Sequence, residues 1–160
     1  MSKLTALALS IAVLGGVWAF LALNPLAGAA LVWVGFIAWG CYFHTGADNA
    51  ALQKTIAGMI FGAVMAGIAL YLVSSNMLGG LGVLAAPVII AATVFPLVIV
   101  AGINLLSVVP ANVYGYAATA GLALTAGTAG NAMMTDMSNP VLLVAVSVVL
   151  GAVFGMASGK

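Results

Sequence analysis

Lys3, Asp48, Lys54, Asp136 and Lys160 are the whole formal charge complement of a 160-residue chain. Charged residues make up 3% of it, against about 25% in an ordinary soluble domain. A soluble fold of this size needs far more polar surface to meet water. The chain therefore reads as an all-α integral membrane protein, a single membrane-embedded domain over residues 1–160. A β-barrel would alternate apolar and polar residues in segments of about 10. Here the apolar runs are continuous and rich in Gly, Ala, Leu and Val, which is the pattern of helices.

Six transmembrane helices in a compact bundle are expected. The first covers Leu4 to Leu23, a length that spans the bilayer and is read as a span rather than a cleaved leader. Asn24-Pro25 breaks it and opens the second, Pro25 to Phe43. The third runs from Ala50 to Val73 and is closed by SSNMLGG. The stretch from Leu78 to Val109 is too long for one simple span. It is divided into a fourth helix, Gly80 to Ala101, and a turn, GINLLSVVP. The fifth then runs from Ala111 to Thr128, and the sixth from Pro140 to Ala157. With six crossings, Lys3, Lys54 and Lys160 share one side of the membrane. The positive-inside rule makes that side, and both termini, cytoplasmic in a bacterial inner membrane. One long helix over Leu78 to Val109 would put Lys160 outside.

Small residues recur every four positions: Gly58, Gly62 and Ala66; Gly115, Thr119, Ala123 and Gly127; Ser147, Gly151, Gly155 and Gly159. Such ridges let helix backbones approach closely in lipid. They serve packing inside one bundle, an interface in a homo-oligomer, or both.

The missing residues exclude several functions. The helix interiors carry none of the ionisable groups that proton- or charge-coupled transporters bury. No phosphate loop, carboxylate pair, Ser-His-Asp set or metal-ligand spacing occurs, so no enzyme, cofactor or metal is expected. There is no basic patch for nucleic acid. Cys41 is the only cysteine, so it can form no intrachain disulfide.

What remains is neutral and polar. Asn112, Tyr116 and Thr119 share one face of the fifth helix, and Asn104 and Ser107 precede it. They either seal the bundle or line a narrow path. On the second helix, Trp33, Phe36 and Trp39 are the candidate aromatic wall, with Trp33 too deep to anchor at a headgroup. His44 and Asp48 mark a cytoplasmic mouth, where Asp48 is also a plausible N-cap for the third helix. The dipeptides Asn24-Pro25 and Asn139-Pro140 fit N-cap and N1 positions of the helices that follow them.

GGVWAFLAL, WVGFIAWGCYF, SVVPANVYGYAATAG and LGAVFGMASGK together resemble a family of small bacterial inner-membrane proteins, domain-of-unknown-function family 1097. The resemblance covers nearly the whole chain and implies a similar segment number and lack of buried charge. It brings no activity and no site residues. Between helices four and five this chain has VAGINLL where the family shows charged or amide residues. Size, neutrality and amide content are also similar, without a shared motif, to six-helix channels for urea and short amides. The expected function is a passive channel or facilitator for a small neutral polar solute of the urea or amide kind. The alternatives are a scaffold or assembly subunit with a dry core and a coupled transporter.

Overall fold

In a computed structural model that describes residues 2–160, the chain is all-helical, with no strand among the described residues. Six α-helices follow one another: α1 (Lys3–Leu23), α2 (Val32–His44), α3 (Asn49–Ser74), α4 (Ala85–Ile99), α5 (Val109–Thr125) and α6 (Pro140–Ser158). Two 3₁₀ turns over Gly79–Leu84, kinked at Gly82, and one over Val100–Gly102 extend α4 at its two ends. Lys3–Leu23, Asn49–Ser74, Gly79–Gly102 and Pro140–Ser158 are long and apolar enough to cross a membrane.

Two helices fall short of that length. The 13 residues of α2 reach roughly 20 Å and the 17 of α5 roughly 25 Å, against a hydrocarbon core of about 30 Å. The second helix begins at Val32, not at Pro25 as its sequence suggests. Asn24 is the C-cap of α1, its Nδ2 donating to the Phe20 carbonyl at 2.9 Å. Pro25 has no N–H to continue α1, and Gly28 at φ +81° turns the chain again. Asn139-Pro140, by contrast, does open its helix: Asn139 Oδ1 accepts from the Val141 N–H at 2.8 Å, with Pro140 at N1.

Contacts fix the direction of each helix. On α6, Ser147 Oγ accepts the Leu31 N–H at 2.8 Å, Gly151 lies against the Gly35 backbone, and Gly155 against Trp39. Gly159 lies against Phe43. Residue numbers rise together, so α2 and α6 are parallel. On α3, Gly58 meets Ala111, Gly62 meets the Asn112 backbone, and Leu70 packs with Ala123. So α3 and α5 are parallel as well. Ser10 Oγ donates to the Ser158 carbonyl and Trp18 packs on Phe154, which makes α1 antiparallel to α6. Thr93 meets Tyr116 and Leu97 meets Asn112, which makes α4 antiparallel to α5. Gly67 lies against Val141 while Ile60 shares a cleft with Val149 and Leu150, so α3 and α6 are antiparallel.

These directions describe an internal repeat. In α1–α3 the short middle helix packs in parallel on the last helix of the other half. In α4–α6 the same is true. Helices α1 and α4 flank these pairs equivalently, and α3 crosses α6 between the halves. Three helices per half is an odd number, so the second half is inverted relative to the first. Lys3, His44, Lys54 and Lys160 gather at one end of the bundle, and Asn24, Ser75 and Asn139 at the other.

Both parallel pairs are joined backbone to backbone. A Cβ on Gly62 would collide with the Asn112 carbonyl, one on Gly115 with the Met59 carbonyl, and one on Gly151 with the Gly35 backbone. Only glycine permits these approaches, which maximise dispersion contact where lipid supplies no hydrophobic drive. Gly58, Gly62, Gly115, Gly151 and Gly155 are therefore all occupied by neighbours within this chain.

Candidate functional site

The two short helices start inside the bundle. Ser147 lies about two turns into α6, so the start of α2 that it holds sits roughly 10 Å in from the start of α6. The start of α5, at Ala111, meets Gly58, roughly 13 Å into α3 from the lysine end. Each half thus has an entry that is not α-helical, turns over residues 24–31 and short 3₁₀ segments over 100–108, leading to a helix that begins at depth. Irregular backbone is tolerated there where protein buries it or a cavity receives it.

These entries are tied down differently. At the first, Trp18 Nε1 donates to the Val32 carbonyl at 3.0 Å, and Ser147 takes the Leu31 N–H. At the second, Asn112 Nδ2 donates to the Leu97 carbonyl at 2.8 Å and the Leu106 carbonyl at 3.1 Å. Asn112 thereby staples the end of α4 to the loop that enters α5. Pro96 disturbs the hydrogen-bond ladder close by, since it offers no N–H.

The residues of the expected path do not come together. Trp33 (43% exposed) and Phe36 lie on the outer face of α2, away from α5. Phe36 stacks on Trp39 at 5.6 Å and touches Gly15 of α1. Trp39 is buried in an aromatic cluster with Trp18 and Phe154. The periodicity of a helix that packs α6 with Val34, Gly35, Ala38 and Trp39 leaves Trp33 and Phe36 on the opposite side. Asn104 is exposed in a 3₁₀ turn, its carbonyl accepting from Ser107 Oγ. At the lysine end His44 is exposed, and Asp48 spends its carboxylate on the Ala51 N–H as the N-cap of α3.

On α5, Asn112 and Thr119 are fully buried in the seam with α3, while Tyr116 is half-buried and turns towards α4. Its hydroxyl meets Thr93 Oγ1 at 2.9 Å. Thr93, the buried hydroxyl of α4 between Pro87 and Pro96, was not legible as a partner. Its signal was only that it is the sole polar side chain of that helix. Among the described residues three buried polar atoms have no partner: Trp39 Nε1, Asn112 Oδ1 and Thr119 Oγ1. Asn112 Oδ1 points at Gly58, where a Cβ would stand 2.7 Å from it.

A cleft of about 200 Å³, open to the outside past the exposed side chains of Ile90 and Leu124, lies between α3, α4 and α5 and is bordered by Ala66, Leu70, Tyr116 and Ala120. Its wall is hydrocarbon apart from Tyr116 and, at the exposed end of α3, Ser74. Among the described residues no three His, Cys, Asp or Glu side chains cluster as a metal site would require. The chemistry available at depth is hydrogen bonding between neutral groups in an apolar setting.

The chain matches the family described as protein of unknown function (DUF1097) over residues 8–160, and it belongs to that family. No curated protein and no solved structure matches it.

Proposed function

We propose that this protein is a passive facilitator for a small, uncharged, hydrogen-bonding molecule. The observation that carries the reading is the inverted repeat. Two oppositely oriented three-helix halves, each with a middle helix that starts at depth, are the plan on which many membrane transport proteins are built. The unpaired atoms of Trp39, Asn112 and Thr119 support it, because a buried polar atom without a partner costs about 1–3 kcal/mol. The absence of Asp, Glu, Lys, Arg and His from the helix cores favours passive passage of a neutral solute over ion coupling.

In this reading the alternating helix directions are six crossings of a bacterial inner membrane. Lys3, Lys54 and Lys160 place the lysine end, and both termini, in the cytoplasm. Assembly as a homo-oligomer uses the exposed faces of the outer helices, because the glycine ridges are filled from within. A reporter fused after Lys160 that folds only in the cytoplasm tests the orientation. Stopped-flow uptake into proteoliposomes tests the function across urea, acetamide, glycerol and phenol. Flux equal to that of empty vesicles for all four sinks the facilitator reading.

A second reading has its own support. The backbone-to-backbone seams at Gly62, Gly115 and Gly151 are those of a rigid, dry scaffold. It predicts no flux and a partner protein that remains bound through purification.

A further inference from the structure

The start of α1 and the end of α6 meet at the lysine end of the bundle. Ser10 Oγ donates to the Ser158 carbonyl at 3.0 Å, and this bond holds the two helices together there. Beside it lies an open groove of about 590 Å³, bordered by Lys3, Ala6, Leu7, Ser10, Gly159 and Lys160. Two of the three lysines of the chain thus share one groove. Neither of the two acids borders it. Asp48 caps α3 through the Ala51 N–H, and Asp136 precedes the start of α6, at the opposite end of the bundle.

The repeat supplies a comparison inside the molecule. Helix α4 stands to α3 as α1 stands to α6, so a groove recurs at the other end, between the end of α3 and the start of α4. Val73, Asn76, Val83 and Ala86 are among its borders, and no charged side chain among the described residues is. The way the helices meet makes a groove at both ends. Only the groove at the lysine end is basic.

We propose that the groove between α1 and α6 seats the headgroup of an anionic phospholipid from the leaflet at the lysine end. Charge complementarity is the first argument. Two ammonium groups with no acid beside them attract a phosphodiester, which lysine binds as a point charge. Basic pockets between helices at a cytoplasmic membrane surface take such headgroups. The second argument is continuity with the lipid. Val13, Val17 and Phe20 follow Ala6 and Ser10 along α1 at helical spacing, and all three are exposed. Acyl chains hanging from a headgroup in the groove have this apolar stripe to lie along. A soluble anion would gain nothing from it. The open side of the groove suits the same occupant, whose chains stay in the bilayer.

The inference takes from the proposed six crossings only the place of the lysine end at a membrane surface, and it does not depend on transport. Native mass spectrometry of the purified protein in detergent, titrated with phosphatidylglycerol or phosphatidylcholine, tests it. One phosphatidylglycerol per chain is expected to be retained in preference to phosphatidylcholine, whose choline cancels the phosphate charge. At roughly 1 kcal/mol per lysine, Lys3→Gln weakens retention about fivefold and Lys3→Gln with Lys160→Gln about 25-fold. Lys3→Arg keeps it. Lys54→Gln, which removes the lysine of this end that does not border the groove, leaves it unchanged. Glycerophosphoglycerol, the same headgroup without acyl chains, does not displace the lipid. Equal retention of the two lipids, or full retention by the double variant, overturns the site. So does a loss in Lys54→Gln as large as that in Lys3→Gln, which would assign binding to the diffuse charge of this end. Displacement by glycerophosphoglycerol overturns the lipid as occupant in favour of a soluble phosphodiester. Flux without lipid retention sinks this inference and leaves the facilitator reading standing, and retention without flux does the reverse.

Discussion

The halves α1–α3 and α4–α6 share a plan and differ in what fills it. The first is packed with aromatic rings: Trp18, Trp39, Phe43 and Phe154 occupy the wedge where α1, α2 and α6 converge, and an open pocket remains only at its lysine end, between Leu7, Ser10 and Gly159. The second is closed with small residues and hydrogen bonds. Asn112 ties down α4 and the entry loop, Thr93 and Tyr116 link α4 to α5, and an open cleft remains. The seam common to both is glycine against backbone. The comparison teaches that the seams define the architecture, while the wedges are free to differ.

The strongest test of the shared seam is Gly62→Ala beside Gly151→Ala. In each, a methyl group meets backbone that cannot step aside. Both are expected to lose about 3 kcal/mol or more, read as a drop in unfolding midpoint in detergent. Gly16→Ala, whose Cβ meets nothing, should be neutral or gain up to about 1 kcal/mol. If one seam tolerates alanine and the other does not, the halves are not equivalent.

Asn112→Ala breaks what is particular to the second half. It strips two carbonyls, of Leu97 and Leu106, of their donor. A loss of about 2–3 kcal/mol is expected, with faster amide hydrogen exchange in residues 97–108 than elsewhere. Uniform exchange would show that Asn112 does not hold this loop.

Phe43→Ala should make the first half resemble the second. Full truncation of a core Phe costs about 3–5 kcal/mol, and Phe43 is only half-buried, so about 1–2 kcal/mol is expected. An unchanged unfolding midpoint would show that this ring does not hold the first half together. Ser147→Ala removes the acceptor of the Leu31 N–H at the first entry and should cost about 1 kcal/mol.

The smallest effect lies outside the seams, in the loop before α6. The Ser138 side chain and N–H hold the exposed Asp136 carboxyl below its usual range. A lowered folded pKa gives stability that is present above the unfolded value, about 3.9, and is lost as pH falls through the folded one. Asp136→Asn should flatten the slight acid-side fall of the melting temperature, and an unaltered curve would assign that fall elsewhere.

Much of the fold was legible because lipid forces it. A chain with no charge from Thr55 to Thr135 must satisfy its backbone internally, and continuous runs do so as helices. The ends of α3 and α6 were readable from Asp48 and Asn139, whose side chains cap the helices they precede. The start of α2 was not, because Asn24-Pro25 can end one helix as well as begin another. The candidate site was less legible still. Trp33, Phe36 and Trp39 look like one wall in sequence, yet Trp39 faces inward and the other two outward.

By itself the sequence determined a helical membrane protein without buried charge, the presence of glycine ridges, and family membership. Only the tertiary structure decided which helices those ridges join and that they relate two inverted halves. Composition acts locally, residue by residue, through solvation and backbone hydrogen bonding. Partner choice between helices depends on the matching of surfaces far apart in the chain, and a single small residue records nothing of what it will touch.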